Sequence, residues 1–189
     1  MGNRTSWLLL FVSVLVIVLP ACNKKDSGAP PNAALGPATG NAGGAKWSVP
    51  KGWSALPERP MRVATYAVAA AEGDAEGAEC AVSFFGAGQG GNVDANIDRW
   101  VGQFENPGLP AKSSREVNGV RVTTVQIDGS YLSPGGPMMQ STGKKDKYRL
   151  LGAIIEAPEG LVFFKMTGPT KTVEAATGAF DAMIGSISK

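Results

Sequence analysis

Gly86-x-Gly88-x-x-Gly91 has the spacing of a phosphate-cradling turn. It stands between an apolar strand-like run, residues 78–85, and a helix-like run that starts near Val93. In a dinucleotide site such glycines let the backbone approach a pyrophosphate at a helix N-terminus, and an acid about 20 residues on takes the ribose hydroxyl. Counting on from Gly91 reaches Ala111, in "LPAKSS", where no acid stands. The next feature is an Asn-Gly hairpin signal, not a parallel return strand. No Gly-Lys-Ser/Thr follows either, so a P-loop is excluded. Gly86, Gly88, Gly90 and Gly91 are read as a strand-to-helix connection whose free N–H groups offer at most a weak anion site.

The remaining chemistry is thin. The chain has no histidine, which removes Ser-His triads, histidine general bases and histidine metal ligands together. Glu72, Asp74, Glu76 and Glu79 crowd a Gly/Ala turn. They read as a solvated turn, not as the two carboxylates held ~5–10 Å apart that glycoside hydrolysis needs. No Asp-x-Asp-x-Asp-Gly calcium loop occurs. Met138-Met139, after Pro134-Gly135-Gly136-Pro137, offer soft sulfur to Cu(I) or pack in a loop. Lys144, Lys145, Lys147 and Arg149, interrupted by Asp146, read as a solvated hairpin end. With 18 Lys+Arg against 16 Asp+Glu the net charge is +2, which gives no electrostatic footprint for nucleic acid. No catalytic residue, cofactor or metal ligand is assigned, and the expectation is that the protein is not an enzyme.

The N-terminus is more informative. Arg4 precedes a run of about 13 mostly apolar residues, Trp7 to Leu19. That is the length of a signal-peptide core and short of the ~20 needed to span a bilayer. The run ends in Leu19-Pro20-Ala21-Cys22, which resembles the lipobox of bacterial lipoproteins. The resemblance implies a diacylglycerol on the Cys22 sulfur, cleavage before Cys22, and acylation of the new amine by a chain such as palmitate. Several buried acyl chains at ~0.8 kcal/mol per CH₂ make a stable anchor. Asn23 is not the aspartate associated with inner-membrane retention, which favours the outer membrane. With Cys22 a thioether, Cys80 has no disulfide partner. Its setting in "ECAVSFF" makes it a small buried hydrophobe.

Residues 22–45, rich in Gly, Pro, Ala and Asn without aromatics, read as a disordered tether. Residues 46–189 read as one domain of common size. "MRVATYAVA" (Met61–Ala69) and "CAVSFFGA" alternate as strands. Val93, Ile97, Trp100, Val101 and Phe104 make one helical stripe, with Asn92 as N-cap and Pro107-Gly108 as terminator. "REVNGVRVTTVQIDGSYL" folds about Asn118-Gly119, the strongest short hairpin signal. "YRLLGAIIEAPEGLVFFKMTG" repeats the form. A last helix is capped by Thr172 and buries Val173, Ala176, Phe180, Met183 and Ile184. Hairpins imply antiparallel pairing, so the expected class is α+β: an antiparallel β-sheet with helices packed on it.

The segments "WSVPKGW", "MRVATY", "GGNVDANIDRW" and "GLVFFKMTGP", followed by an amphipathic helix, resemble a group of bacterial lipoproteins and the Mog1/PsbP-like fold. The resemblance implies a binding or assembly subunit, and it brings no site residue with it. The expected function is therefore a membrane-anchored, non-enzymatic role in the cell envelope. Its partners would be the membrane, through the lipid on Cys22, and an envelope protein. The alternative is a small-molecule or metal-binding envelope module that uses the glycine loop or Met138-Met139.

Overall fold

Alternation along the strands sorts the chain into two packed faces of one sheet. The computed structural model describes Gly2, residues 38–133 and residues 143–189. Apart from Gly2, these lie within one compact unit, Leu35–Lys189. The expected signal peptide beyond Gly2, Cys22 with its expected lipid, and Met138-Met139 lie outside the described residues.

In chain order the elements are β1 (Thr39–Ala42), β2 (Ala45–Ser48), β3 (Ser54–Ala55), β4 (Ala64–Val68), β5 (Ala78–Phe84), α1 (Val93–Val101), β6 (Phe104–Glu105), β7 (Ala111–Val117), β8 (Val120–Ser133), β9 (Gly143–Ala157), β10 (Gly160–Pro169) and α2 (Thr170–Gly185). The main sheet runs β3-β4-β5-β10-β9-β8-β6, and β7 also pairs with β8. Every pairing is antiparallel. The α+β architecture expected from the hairpins is therefore the one observed. Asn118 (φ 48°) and Gly119 (φ 75°) supply the left-handed turn between β7 and β8, the backbone that a tight hairpin requires.

Each face has its own core. On one, α2 contributes Val173, Phe180, Met183 and Ile184 against Val82, Phe164 and Ile155 of the sheet. Cys80 belongs to this face and is fully buried. Burial pushes its thiol far up from the usual range, so it is inert, in line with its expected role as a hydrophobe. On the other face, α1 places Ile97 and Trp100 against Phe163, Ile154 and Val125.

Three boundaries differ from the sequence reading. Residues expected in the tether form β1, which pairs with β2 through a Gly43-Gly44 turn and sets Gly40 opposite Trp47. A Cβ at Gly40 would stand 2.2 Å from the Trp47 ring, so that glycine admits the indole. Trp47 in turn packs edge-on to Phe164 at 5.0 Å and donates to the Tyr66 hydroxyl at 3.1 Å. Second, α1 stops at Gly102. Phe104 leaves the helical stripe and joins β6, opposite Tyr131. Third, the basic run stands at the β8–β9 hairpin end, as expected, but it is the start of the 15-residue strand β9 and is ion-paired there, Lys144 with Glu105, Lys145 with Glu76 and Arg149 with Asp128.

Candidate functional site: a cationic groove on the α1 face

Helix α1 has nine residues and, among the described residues, covers only one end of its sheet face. The uncovered part is a groove of about 820 Å³, within the ~300–1,000 Å³ range of small-molecule sites. Strand alternation supplies its floor. Lys165 of β10 stands between Ala81 of β5 and Gly152 of β9, with Thr65 and Val125 next along the same row. Ala81 keeps the floor low on the β5 side, and on the β9 side Gly152 admits the Trp100 indole, which stands beside the lysine as a wall. Trp100, Phe163 and Phe85 wall one end, with the Phe85 and Phe163 rings 5.7 Å apart and Trp100 edge-on to Phe163 at 6.5 Å.

Lys165 is partly buried. Its Nζ donates to Gln103 Oε1 at 2.5 Å and to the Tyr131 hydroxyl at 3.3 Å, and it stands 5.5 Å from the Tyr131 ring centre. Burial, and then the guanidinium charges of Arg62 and Arg99, pull its pKa down to about 8. Burial pushes the Tyr131 hydroxyl up to about 12, so it is a neutral phenol at ordinary pH. Arg62 donates to Glu79 Oε1 at 2.6 Å, and Glu79 also holds Arg59 at 2.8 Å. Arg99, exposed on α1, donates to the Asn96 side-chain oxygen. Buried Asn96 in turn donates to the carbonyls of Gly90 and Asn92, both at 2.7 Å.

The far end is closed by a stacked pair, Tyr131 and Tyr148, with ring centres 5.8 Å apart and planes 5° from parallel. Glu76 accepts from Lys145 at 2.7 Å and from the Tyr148 hydroxyl. These two donors hold its carboxyl below the usual range. Among the described residues Lys165 and Arg99 form no ion pair with a carboxylate, unlike Arg62 and Lys145. Thr167, on the groove wall, has a buried hydroxyl with no hydrogen-bond partner among the described residues. An unmet buried hydroxyl is costly to keep.

The glycine loop is a connection. Gly86, Gly88, Gly90 and Gly91 all have positive φ, from 68° to 96°. The strand that feeds the loop pairs antiparallel with both neighbours, so the parallel unit of a dinucleotide site does not exist here. Asn92 caps α1 as expected, its side chain accepting from Ala95 N at 2.8 Å. The acidic turn is not simply solvated: Asp74 holds the start of α2, Glu76 binds Lys145 and Tyr148, and Glu79 binds two arginines. Among the described residues no group of three or more His, Cys, Asp or Glu side chains is placed to hold a metal ion.

The groove residues Lys165, Arg62, Arg99 and Tyr131 were not singled out in the sequence. One signal was available. "FFKMT" places a lysine in the most apolar strand of the chain, on the same face as Phe163 and Thr167, and a charge at such a position has to be accommodated. Arg62 and Arg99 carried no such signal, because only the sheet order brings them to Lys165.

Antiparallel sheet order, one long helix on one face and a short one on the other define a PsbP-like α+β fold. The solution structure of cyanobacterial PsbP (CyanoP) from Synechocystis sp. PCC 6803 is similar over 85% of this chain and 97% of that chain, with TM-score 0.51 and 11% identity. The crystal structure of PA94 from Pseudomonas aeruginosa covers 75% of this chain and 88% of that chain, with TM-score 0.44 and 14% identity. No protein-family model matches the chain, and no curated protein does. At such identities the likeness is one of fold.

Proposed function

We propose that this protein is a lipid-anchored bacterial envelope protein that binds rather than catalyses, with the groove over Lys165 as its working surface. The groove carries the reading. It is a recess of ligand size with aromatic walls, and two of its cations are met by neutral groups alone among the described residues. The sequence supplies no histidine to act as a base, and the thiol of Cys80 is buried on the opposite face. The anchor rests on the Leu19-Pro20-Ala21-Cys22 motif behind a short apolar run. Asn23 favours the outer membrane.

Two measurements test the two halves. Whole chain expressed in a bacterial host should fractionate with membranes, and Cys22→Ser should release it and abolish processing before residue 22. Unchanged partition and unchanged mass would overturn the anchor. The binding half requires saturable occupancy of the groove by at least one small organic probe, charged or neutral. A chain that binds none overturns it.

A further inference from the structure

We infer that the groove takes a small organic anion, with a carboxylate or phosphate seated between Lys165 and Arg99 and an apolar or aromatic body laid toward Trp100 and Phe163. The inference rests on the reading of the groove as a binding site and specifies its ligand class.

The charge pattern carries it. Four cations line the groove, Arg62, Arg99, Lys145 and Lys165, against two carboxylates, Glu76 and Glu79. Both carboxylates are already committed, Glu79 to Arg59 and Arg62, Glu76 to Lys145 and the Tyr148 hydroxyl. Among the described residues Lys165 and Arg99 are left with amide and phenol oxygens, which accept hydrogen bonds but bring no compensating charge. A partly buried ammonium beside two guanidiniums is an arrangement that an anion relieves. The two cations also divide the work. Arg99 is exposed on the helix and meets the solute first, whereas Lys165 stands on the floor, where a desolvated charge-assisted bond is strong.

The body of the ligand follows from the walls. Ala67 and Ala81 of the floor present small apolar surfaces, and Trp100, Phe163 and Phe85 close one end. A bare inorganic ion would leave that surface wet, whereas a ring or short chain buries it. The Thr167 hydroxyl, without a partner among the described residues, lies on the other side of Lys165 from Phe163, two positions along β10 and opposite Glu79.

The groups facing Lys165 make occupancy pH-dependent. They are Gln103 beyond α1, Tyr131 of β8, Glu79 of β5, Arg62 ahead of β4 and Arg99 of α1. A bound anion favours the ammonium and raises the Lys165 pKa, so binding near pH 8 takes up a proton. For a carboxylate ligand, ionised throughout that range, affinity should be flat from about pH 6 to pH 8 and fall as pH climbs above it.

The test uses the full chain with phenyl phosphate and indole-3-acetate as aromatic anions. Inorganic phosphate and acetate are the bare anions, indole-3-ethanol is the neutral isostere and tryptamine the cation, all at matched ionic strength. Isothermal titration calorimetry in buffers of different ionisation enthalpy reads affinity and proton uptake. NMR shifts of the Trp100 and Tyr131 rings place the probe. The aromatic anions should bind saturably, more tightly than either the bare anions or indole-3-ethanol. Lys165→Met should weaken them about ten- to hundredfold, the loss expected for a hydrogen bond to a charged group. Arg99→Gln, an exposed change that leaves the core intact, should weaken them several-fold, by the same physics at a wetter site. Equal or tighter binding of indole-3-ethanol or tryptamine in the groove would overturn the anion assignment and leave the groove a binding site. Anion binding untouched by both substitutions would also overturn it. No saturable binding of any probe up to about 10 mM, a very weak association, would overturn both the anion assignment and the binding reading.

Discussion

The indole of Trp100 lies directly on the backbone of Gly152: a Cβ there would stand 2.3 Å from Cζ3 and 2.7 Å from Cε3. This contact locks α1 to the sheet and also fixes the lateral wall of the groove, because Gly152 is the cross-strand neighbour of Lys165. Trp100→Ala removes a core aromatic and should cost about 3–5 kcal/mol. Gly152→Ala forces the indole aside and should cost about 1–3 kcal/mol by overpacking. The two should not add. With the indole gone the new methyl meets far less, so the double variant should be more stable than the sum of the single losses implies. Urea unfolding of the four proteins gives the coupling, and additive losses would show that the two positions do not press on each other.

Lys165 should make stability depend on pH in a defined direction. Its pKa in the folded chain is about 8, below the ordinary lysine value of 10.5. Between those values the unfolded chain binds more protons than the folded one, so stability rises with pH across that window. Below pH 8 both states carry the proton and the cost of the buried charge is present in full. Lys165→Met has no such cost. Its melting temperature should therefore compare best with that of the wild type near pH 7, and the difference should shift toward the wild type as pH rises to 9.5. The raised pKa values of Tyr131 and the buried Cys80 thiol act in both proteins and drop out of the comparison to first order. Parallel curves for the two proteins would show that Lys165 titrates as a solvated lysine.

Much of this architecture was legible because its signals are local. Asn118-Gly119 dictates a hairpin through backbone conformation alone, and the Asn92 cap with Ile97 and Trp100 dictates a helix and its buried side. β1 was not legible. Its residues, "TGNA", have poor strand propensity, and they become a strand because β2 offers hydrogen bonds and Trp47 needs Gly40 beneath it. The groove was hidden for a similar reason. Arg62 and Lys165 are about a hundred positions apart, and no periodicity says that β5 and β10 will be neighbours. The two faces of each strand can be read from alternation, but which strands share an edge is a property of the whole sheet.

Asp74 should act as a remote cap of α2. The helix starts after Pro169 with no side-chain cap of its own. Thr172, expected at the cap, sits inside the first turn instead, and it gives both its N–H (2.9 Å) and its hydroxyl (2.6 Å) to Asp74 Oδ2. The Thr172 hydroxyl also accepts from Ala71 N at 3.0 Å, which ties the β4–β5 turn to the helix. Asp74→Ala leaves buried donors unmet and should cost about 1–2 kcal/mol. Asp74→Asn keeps an acceptor and should recover most of the loss. Thermal unfolding of the two variants decides the matter, and an Asp74→Ala protein as stable as wild type would show that solvent caps the helix instead.

The glycine loop should respond to alanine in a single direction. A plain connection would be expected to mix glycines that resist alanine with others that tolerate or even welcome it. The structure removes the second kind, since all four have positive φ, where an L-residue costs roughly 1–2 kcal/mol. Gly86→Ala and Gly88→Ala should pay that backbone cost alone, for the new methyl at Gly88 meets nothing within 4 Å and the one at Gly86 only Gln89 at 4.0 Å. Gly90→Ala should be the most damaging, because its Cβ would also stand 3.1 Å from both the Phe163 and Phe85 rings. It would thereby disturb the aromatic end of the groove as well. Millimolar NAD or ATP should leave the ranking Gly90 above Gly86 and Gly88 unchanged, and should give no thermal shift beyond that of an equal ionic strength of salt. A nucleotide-specific, saturable shift that disappears in Gly88→Ala, a substitution with no steric consequence, would mean that the loop's N–H groups hold a phosphate after all.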